Sequence, residues 1–304
     1  DVNQAAPSLF EQQKPTWNRS ILDQSIRRSL HRQDPSRPAI ANTGTLPSLP
    51  RPQETNSHLW FGWHEGKATD LAIYLDQQPW VGKFVSAFGS HSVSEELDIN
   101  SDQWPVFDFS ELNTENEDIV DLLLKVFPPE MFPDFKSWSA ATRAHQAHLL
   151  KTQIEILRRR KYRPGGGFTF DSFIDDRYKT TSGIIDQSGA TKPAFDAVAQ
   201  ACAETIIIAD PFFDLISKEK VVATNVTVVH DGRQPINDAL ITSHLTIEDE
   251  TYTDKWRGDI ASDTAQHIGR IEYPVLDHAK TVHLVLELES EKTQADNRYT
   301  YSRE

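Results

Sequence analysis

Residues 81–93 read VGKFVSAFGSHSV and say more about the fold than any other stretch of this chain. Their apolar and β-branched beginning is typical of a buried strand. The run leads into Ser86-Ala87-Phe88-Gly89, and glycine weakens a strand interior and often marks a bend. We therefore predict a strand over residues 81–87 that ends where Ala87 stands.

Strand and helix patterns alternate on either side of this stretch. We predict helices over residues 16–33, 67–78, 139–161 and 193–203, and strands over residues 38–41, 58–63, 81–87 and 168–174. In the helix over 139–161, we expect one apolar stripe to be buried, formed by Ala140, Ala144, Ala147, Leu150, Ile154 and Leu157. Alternating strands and helices favour a parallel α/β sheet.

Four strand–helix units are half of an eightfold barrel, and half a barrel has two open sheet edges. We therefore expect a complementary half to lie upstream. The first residues, DVNQAAPSLF, contain neither an initiator methionine nor the pattern of a signal peptide. This beginning fits a chain that has been cut, processed or taken from a longer one.

After residue 203 the hydrophobic period changes to two, which is the period of strands with one buried face. Short strands are predicted over residues 205–209, 221–229, 239–247, 266–271 and 281–288, with polar turns between them. This pattern is typical of a small antiparallel β-sandwich. We therefore predict two domains, 1–203 and 204–304.

The composition is that of an ordinary soluble protein, with 304 residues, 38% hydrophobic and 25% charged. Its formal net charge of −14 argues against nucleic acid and against anionic membranes, since both reward lysine and arginine. No apolar run approaches the ~18 residues of a membrane span. The single cysteine, Cys202, excludes an internal disulfide and a multi-cysteine zinc site. Nothing in the sequence determines the compartment.

The Ser-Ala-Phe-Gly run at residues 86–89 resembles the end of the seventh barrel strand in the family 2 glycoside hydrolases, most closely in their β-mannosidase-like branch. The pattern in that family is Ser-Glu-Phe/Tyr-Gly, and its glutamate is the nucleophile that attacks the anomeric carbon. Ala87 occupies the glutamate's position. A methyl group can neither attack nor carry charge.

Three further stretches resemble the same family in the same order. HLWFGWHEG at 58–66 is similar to the sixth barrel strand, and residues 15–44, with their DPSRP turn, are similar to the preceding helix and strand. Residues 166–198 resemble the eighth strand and the helix after it. Within that stretch Asp175, Asp186, Lys192 and Pro193 match, whereas Asp171, Ile174 and Ser182 stand where the family often has an aromatic residue, Asn and Trp.

The resemblance implies the second half of a (β/α)8 barrel followed by an immunoglobulin-like β-sandwich, and a retaining exo-β-glycosidase that needs no cofactor and no metal. The implied partner is a β-linked glycoside, and a mannoside is the first candidate. Enzymes that act on glucuronides, galactosides and glucosaminides share the same architecture. The acid/base glutamate is expected in the upstream half. The implied site consists of Ala87 in the nucleophile position and five substrate-binding residues: His58, Trp60, Trp63, His91 and Asp175.

Several alternatives remain open at this point. Trp60, Trp63 and His58 are interpreted equally well as core residues or as walls of a sugar site. Asp171 and Asp175, four residues apart on the eighth-strand motif, are the candidates for a substitute nucleophile. Without the glutamate, we expect this chain alone to be inactive. The alternative function is a non-catalytic carbohydrate-binding or scaffolding protein that kept the fold.

Overall fold

The computed structural model describes residues 19–37, 39, 58–64, 66–97, 104–106, 109–112, 118–176, 179–211, 221–274 and 281–302. The chain forms two compact units. The first comprises Asp1–Gln153 and Tyr162–Val198, and the second comprises Ile154–Lys161 and Ala199–Glu304. The predicted strand over 38–41 lies almost wholly outside the described residues.

Five α-helices occur in the described part of the chain: α1 (Arg19–Gln33), α2 (Asp70–Gln77), α3 (Asp118–Val126), α4 (Phe135–Arg159) and α5 (Pro193–Ala201). The four predicted helices correspond to α1, α2, α4 and α5. Proline at the start of α5 suits a first helical position, where its missing N–H costs nothing. Among these described helices, none is long and apolar enough to span a membrane.

Three extended segments of the first unit run parallel, side by side. His58 lies opposite Ala87, and Val85 lies opposite Phe168. The Leu59 N–H donates to the Ala87 carbonyl oxygen at 2.9 Å, and the Val85 N–H donates to the carbonyl oxygen of residue 167 at 3.2 Å. The segment that contains Val85 and Ala87 therefore lies between the segment of His58 and the segment of Phe168. The carboxyl ends of all three segments meet at one edge, as predicted for part of a barrel.

The predicted strand over 81–87 is wrong in its first half. Residues Pro79–Lys83 form a 3-10 helix, because proline favours the first turn of a helix and fixes φ there. The predicted strand over 168–174 is likewise shorter than expected. Within it only Phe168 and Ile174 form β-bridges.

Strands β1 (Ser92–Val93) and β2 (Thr180–Thr181) form a small antiparallel pair that α4 supports. Ser139 Oγ donates to the Val93 carbonyl at 2.8 Å, and the Val93 N–H donates to Thr142 Oγ1 at 3.0 Å. Gln146 Nε2 donates to the Ser90 carbonyl at 3.0 Å. These contacts satisfy the backbone groups of the loop that follows Ala87.

The predicted apolar stripe of α4 is wrong in its amino-terminal half. Ala140 and Ala144 are exposed, whereas Ser139, Thr142 and Gln146 are fully buried. Buried polar side chains are stable where they find hydrogen-bond partners, and the loop backbone supplies these partners. The loop thus decides which face of the helix is buried.

The second unit is an antiparallel β-sandwich. Its strands are β3 (Thr205–Ala209), β4 (Val221–His230), β5 (Ile236–Ile247), β6 (Glu250–Ile260), β7 (Thr264–Pro274), β8 (Thr281–Glu289) and β9 (Gln294–Ser302). One sheet has the order β3-β4-β7 and the other β6-β5-β8-β9. The five predicted strands are β3, β4, β5, β7 and β8. Strands β6 and β9 were missed because they are edge strands rich in polar residues.

The end of α4 belongs to the second unit and is fixed there by a buried polar network. Asn297 Nδ2 donates to Glu155 Oε1 at 2.8 Å and to the Ile207 carbonyl at 2.9 Å. The Tyr299 hydroxyl donates to Glu155 Oε2 at 3.0 Å. Burial is the main cause that raises the pKa of Tyr299, with the nearby Glu155 charge second. Tyr299 therefore stays protonated and donates to the carboxylate.

Candidate functional site

The carboxyl ends of the three parallel segments bring His58, Ala87 and Asp171 to one edge. His58 lies opposite Ala87. On the other side, the Asp171 N–H donates to the Phe88 carbonyl oxygen at 3.1 Å. Since neighbouring strands lie ~4.8 Å apart, the backbone segments that carry His58 and Asp171 lie on either side of the segment that carries Ala87.

Gly89 makes this close approach possible. Its φ is +142°, a conformation that residues with a Cβ rarely adopt. A Cβ on Gly89 would lie 2.9 Å from the Asp171 carbonyl oxygen, which is closer than real contacts allow. The glycine therefore determines how near the segment after Ala87 comes to Asp171.

Ala87 is 8% exposed and offers no group that attacks, donates or accepts. Retaining glycosidases need two carboxylates about 5–5.5 Å apart, and Ala87 supplies neither. The neighbouring segment carries another carboxylate, that of Asp171, whose backbone bonds to Phe88 and whose side chain is exposed. Double displacement through residue 87 is therefore chemically impossible.

His58 lies within electrostatic range of Asp171. Burial lowers the pKa of His58 from its ordinary value, and the negative charge of Asp171 opposes part of this shift. The imidazole is consequently neutral at pH 7. A neutral imidazole has one nitrogen that donates a hydrogen bond and one that accepts, so it can bind a hydroxyl group or a water molecule.

Five rings form what we call the Trp–His cluster: Trp60, Trp63, His64, His91 and His145. The His91 ring stacks on Trp60 with centroids 6.5 Å apart and lies 5.8 Å from Trp63. His64 contacts both indoles edge-on, at 5.9 and 6.2 Å, and His145 approaches Trp63 at 6.2 Å. The predicted residues Trp60, Trp63 and His91 are thus brought together.

The two indoles differ in accessibility. Trp63 is 4% exposed and belongs to the hydrophobic core of the first unit, whereas Trp60 is half-buried at its margin. A sugar stacks on an aromatic face that it can reach. Of the two indoles predicted to contact a sugar, Trp60 is the accessible one, and Trp63 belongs to the core against which Trp60 packs.

Three polar atoms of this cluster have no hydrogen-bond partner within the described residues: Trp63 Nε1, His91 Nδ1 and His145 Nε2. Buried polar atoms are rarely left unpaired. Burial, together with smaller effects of nearby His64 and Lys192, lowers the pKa of His91 to about 3. His91 is therefore neutral, and the buried nitrogens of the cluster have unused hydrogen-bonding capacity.

Asp175 is a correction to the predicted site. Its carboxylate forms an ion pair with Lys192, and both side chains are 1% exposed. The Gly183 N–H donates to Asp175 Oδ1 at 2.7 Å. The carboxylate therefore has no accessible surface to offer a sugar, and it stabilises the fold instead. Asp171 and Asp175 do not share one accessible face, because the segment between them is not a continuous strand.

Sequence reasoning did not identify His145 as a neighbour of this cluster. It lies on α4, and periodicity alone cannot show what the helix faces. No group of three or more His, Cys, Asp or Glu residues arranged to hold a metal ion occurs in the described part of the chain.

No protein-family model and no curated protein match this chain. Among solved structures, a β-D-mannosidase from Dictyoglomus thermophilum matches with a TM-score of 0.75 and 16% identity, over 98% of this chain and 36% of its own. An exo-chitosanase from Amycolatopsis orientalis matches with a TM-score of 0.52 and 14% identity, over 73% of this chain and 28% of its own.

These likenesses confirm the fold that the sequence predicted, a part of a barrel followed by a β-sandwich. They also show that this chain spans about a third of the length of the mannosidase. What the remaining two thirds contribute in that enzyme has no counterpart in the residues present here.

Proposed function

We propose that this chain is the carboxyl-terminal barrel portion and sandwich of a family 2 glycoside hydrolase, that it binds a β-linked glycoside, and that it has lost double-displacement hydrolysis. The observation that carries the proposal is Ala87, flanked by His58 and Asp171 at the strand ends of a fold shared with a β-mannosidase. Barrel enzymes place their chemistry at this end of the strands.

The Trp–His cluster supports the binding part of the proposal. Sugar sites combine a flat apolar wall with a few placed polar groups. Trp60 supplies the accessible wall, and the exposed imidazole of His58 at the strand end supplies a polar group that donates and accepts. We assign the ligand as an uncharged pyranoside, with β-mannoside as the first candidate because the matching enzyme with the higher TM-score is a mannosidase.

The edge of the third parallel segment supports a missing barrel half. Because the Thr169 N–H and the carbonyl of residue 167 both bond to Val85, the N–H and C=O of Phe168 point the other way. No backbone hydrogen bond of Phe168 or Phe170 occurs among the described residues. An unpaired edge is a site for another strand, and exposed apolar side chains follow it, Phe173 at 60% and Ile174 at 55%. We propose that a strand of the complementary half pairs here.

Ligand binding is the first test. Isothermal titration with methyl β-D-mannopyranoside, and with the corresponding glucoside, galactoside and glucuronide, should show saturable binding to one of them. Trp60→Ala should weaken it at least tenfold. Trp80→Ala is the matched control, because that indole bonds to Gln78 outside the cluster. Absence of binding to every glycoside would contradict the proposal.

Restoring the carboxylate separates a disabled enzyme from the alternative, a non-catalytic binding or scaffolding protein. In a disabled enzyme, Ala87→Glu should create hydrolysis with retention of configuration of 2,4-dinitrophenyl β-glycosides, whose leaving group needs no acid. Unchanged sugar binding without any gain in hydrolysis would favour the non-catalytic alternative.

A further inference from the structure

We propose that Asp171 is a general base that activates a water molecule held over the Ala87 methyl group, so that the site hydrolyses activated β-glycosides in one step with inversion of configuration. This inference rests on the proposed function, since it requires a glycoside at the same strand ends. It adds a catalytic residue and a stereochemical outcome that the loss of the nucleophile alone does not predict.

The position of Asp171 is the first argument. Its backbone is held beside the segment of Ala87 by the hydrogen bond to Phe88 and by the close approach of Gly89. The side chain is exposed, and its carboxylate has no hydrogen bond or ion pair to any described residue. The carboxylate is therefore available, and it stands where barrel enzymes place catalytic groups.

The size of residue 87 is the second argument. Retaining glycosidases have carboxyl groups about 5–5.5 Å apart, whereas inverting enzymes have them about 6.5–9.5 Å apart and place a water molecule in the added space. Alanine is smaller than the glutamate whose position it takes by one methylene and the carboxylate, and the water molecule of the proposal takes up that volume. With Asp171 on the neighbouring segment as the base, attack by this water molecule inverts the anomeric centre.

His58 lies on the other side of Ala87 and provides the third argument. It is within electrostatic range of Asp171 and is neutral at pH 7. A neutral imidazole has an N–H that donates, so it can orient the same water molecule by donating a hydrogen bond to its oxygen. Asp171 is the base, and His58 is a positioning residue.

The reaction balances without another reagent. The water oxygen forms a bond to the anomeric carbon as the bond to the leaving oxygen breaks. Asp171 takes one proton from the water and later releases it to solvent. A dinitrophenolate departs as an anion, so the step requires no general acid from this chain. The β-glycoside yields the α-anomer of the free sugar.

The test uses the whole chain and 2,4-dinitrophenyl β-D-mannopyranoside, with the glucoside in parallel. Release of dinitrophenolate is followed by absorbance, and proton NMR at early times identifies the first anomer before mutarotation. We expect the α-anomer from the native chain. Asp171→Asn should slow release about 100-fold or more, as removal of a general base does, while methyl glycoside binding stays within twofold.

Two controls define the outcome. Asp196→Asn removes an exposed carboxylate on α5 and should not change the rate. Ala87→Glu should yield the β-anomer, because attack by the new carboxylate followed by water inverts the centre twice.

Glycoside binding with no release above buffer, equal rates for the native chain and Asp171→Asn, or a β-anomer from the native chain would each overturn the inference and leave the binding proposal standing. Loss of glycoside binding in the native chain would instead overturn the proposed function itself.

Discussion

The Lys192 ammonium forms an ion pair with the Asp175 carboxylate although each side chain is only 1% exposed. Lys192 Nζ also donates to Ser92 Oγ at 3.3 Å and to Thr181 Oγ1 at 3.4 Å. Burial lowers the pKa of Lys192, and the hydrogen bond to Asp175 opposes this shift. The pair therefore connects the short strands β1 and β2 to the segment that follows Asp171.

Breaking this pair should destabilise the first unit strongly. We expect Lys192→Met to lower the free energy of unfolding by about 3–5 kcal/mol, because it leaves the Asp175 charge buried without a partner. Urea unfolding followed by tryptophan fluorescence measures this. Adding Asp175→Asn to Lys192→Met should recover part of the loss, and a double variant less stable than the sum of the single changes would contradict a direct pair.

The decrease in the free energy of unfolding at acid pH should depend on His91. Because its pKa in the folded chain is about 3, the unfolded chain takes up a proton below pH 6.5 that the folded chain does not. The contribution of neutral His91 to the free energy of unfolding is fully present above pH 6.5 and is lost as the pH falls toward 3. We expect the native chain to lose about 2–3 kcal/mol more than His91→Gln between pH 6.5 and 4.5. Urea unfolding measures the free energy of unfolding of both proteins at each pH. The same pH dependence for both would show that His91 is not buried in its neutral form.

Trp60 and Trp63 should separate binding from stability. Trp63→Ala removes a 4% exposed core side chain and should cost about 3–5 kcal/mol of unfolding free energy. Trp60→Ala should cost less than half of that and act mainly on glycoside affinity. Thermal unfolding and isothermal titration on both variants test the distinction. An affinity loss confined to Trp63→Ala would reverse the assignment.

Asn297 should anchor the end of α4 in the second unit. Its side chain is fully buried and serves Glu155, Ile207 and Tyr299. Asn297→Ala removes one donor from each of these acceptors inside the buried network and should cost about 2–3 kcal/mol. Asn225→Ala is the control, since its amide makes a single half-buried hydrogen bond to Asp210 at 3.0 Å and should cost about 1 kcal/mol. Equal losses of unfolding free energy for the two variants in denaturant titrations would show that the buried network contributes no more than a single half-buried hydrogen bond.

Gly89→Ala should disturb the site through Asp171. We expect a loss of about 1–3 kcal/mol from the strained backbone, together with reduced hydrolysis because the added Cβ pushes the Asp171 carbonyl away. Gly189 also has a positive φ, of 89°, but nothing lies within 4 Å of its missing Cβ. Gly189→Ala therefore measures backbone strain alone, and identical unfolding free energies for both variants would refute the steric argument.

The motifs of the barrel strands were recognisable because they are local. Strand ends, the glycine after Phe88 and the alanine in the nucleophile position are adjacent in the chain, and the structure places the segments of His58, Ala87 and Phe168 side by side as predicted. Asp175 was misassigned for the opposite reason. Its role depends on Lys192, seventeen positions later, and no spacing rule reveals which of several carboxylates a buried lysine will pair with.

Local patterns were therefore enough for the order of the strands and helices, the change from α/β to all-β, and the missing nucleophile, because each depends on residues within a few positions of one another. Contacts between distant segments decided the rest. They buried Asp175 and exposed Asp171, made Trp63 a core residue and Trp60 an accessible wall, and chose the polar face of α4 for burial. Such outcomes depend on which polar groups find partners across the fold, and burial without a partner costs more than local preference contributes.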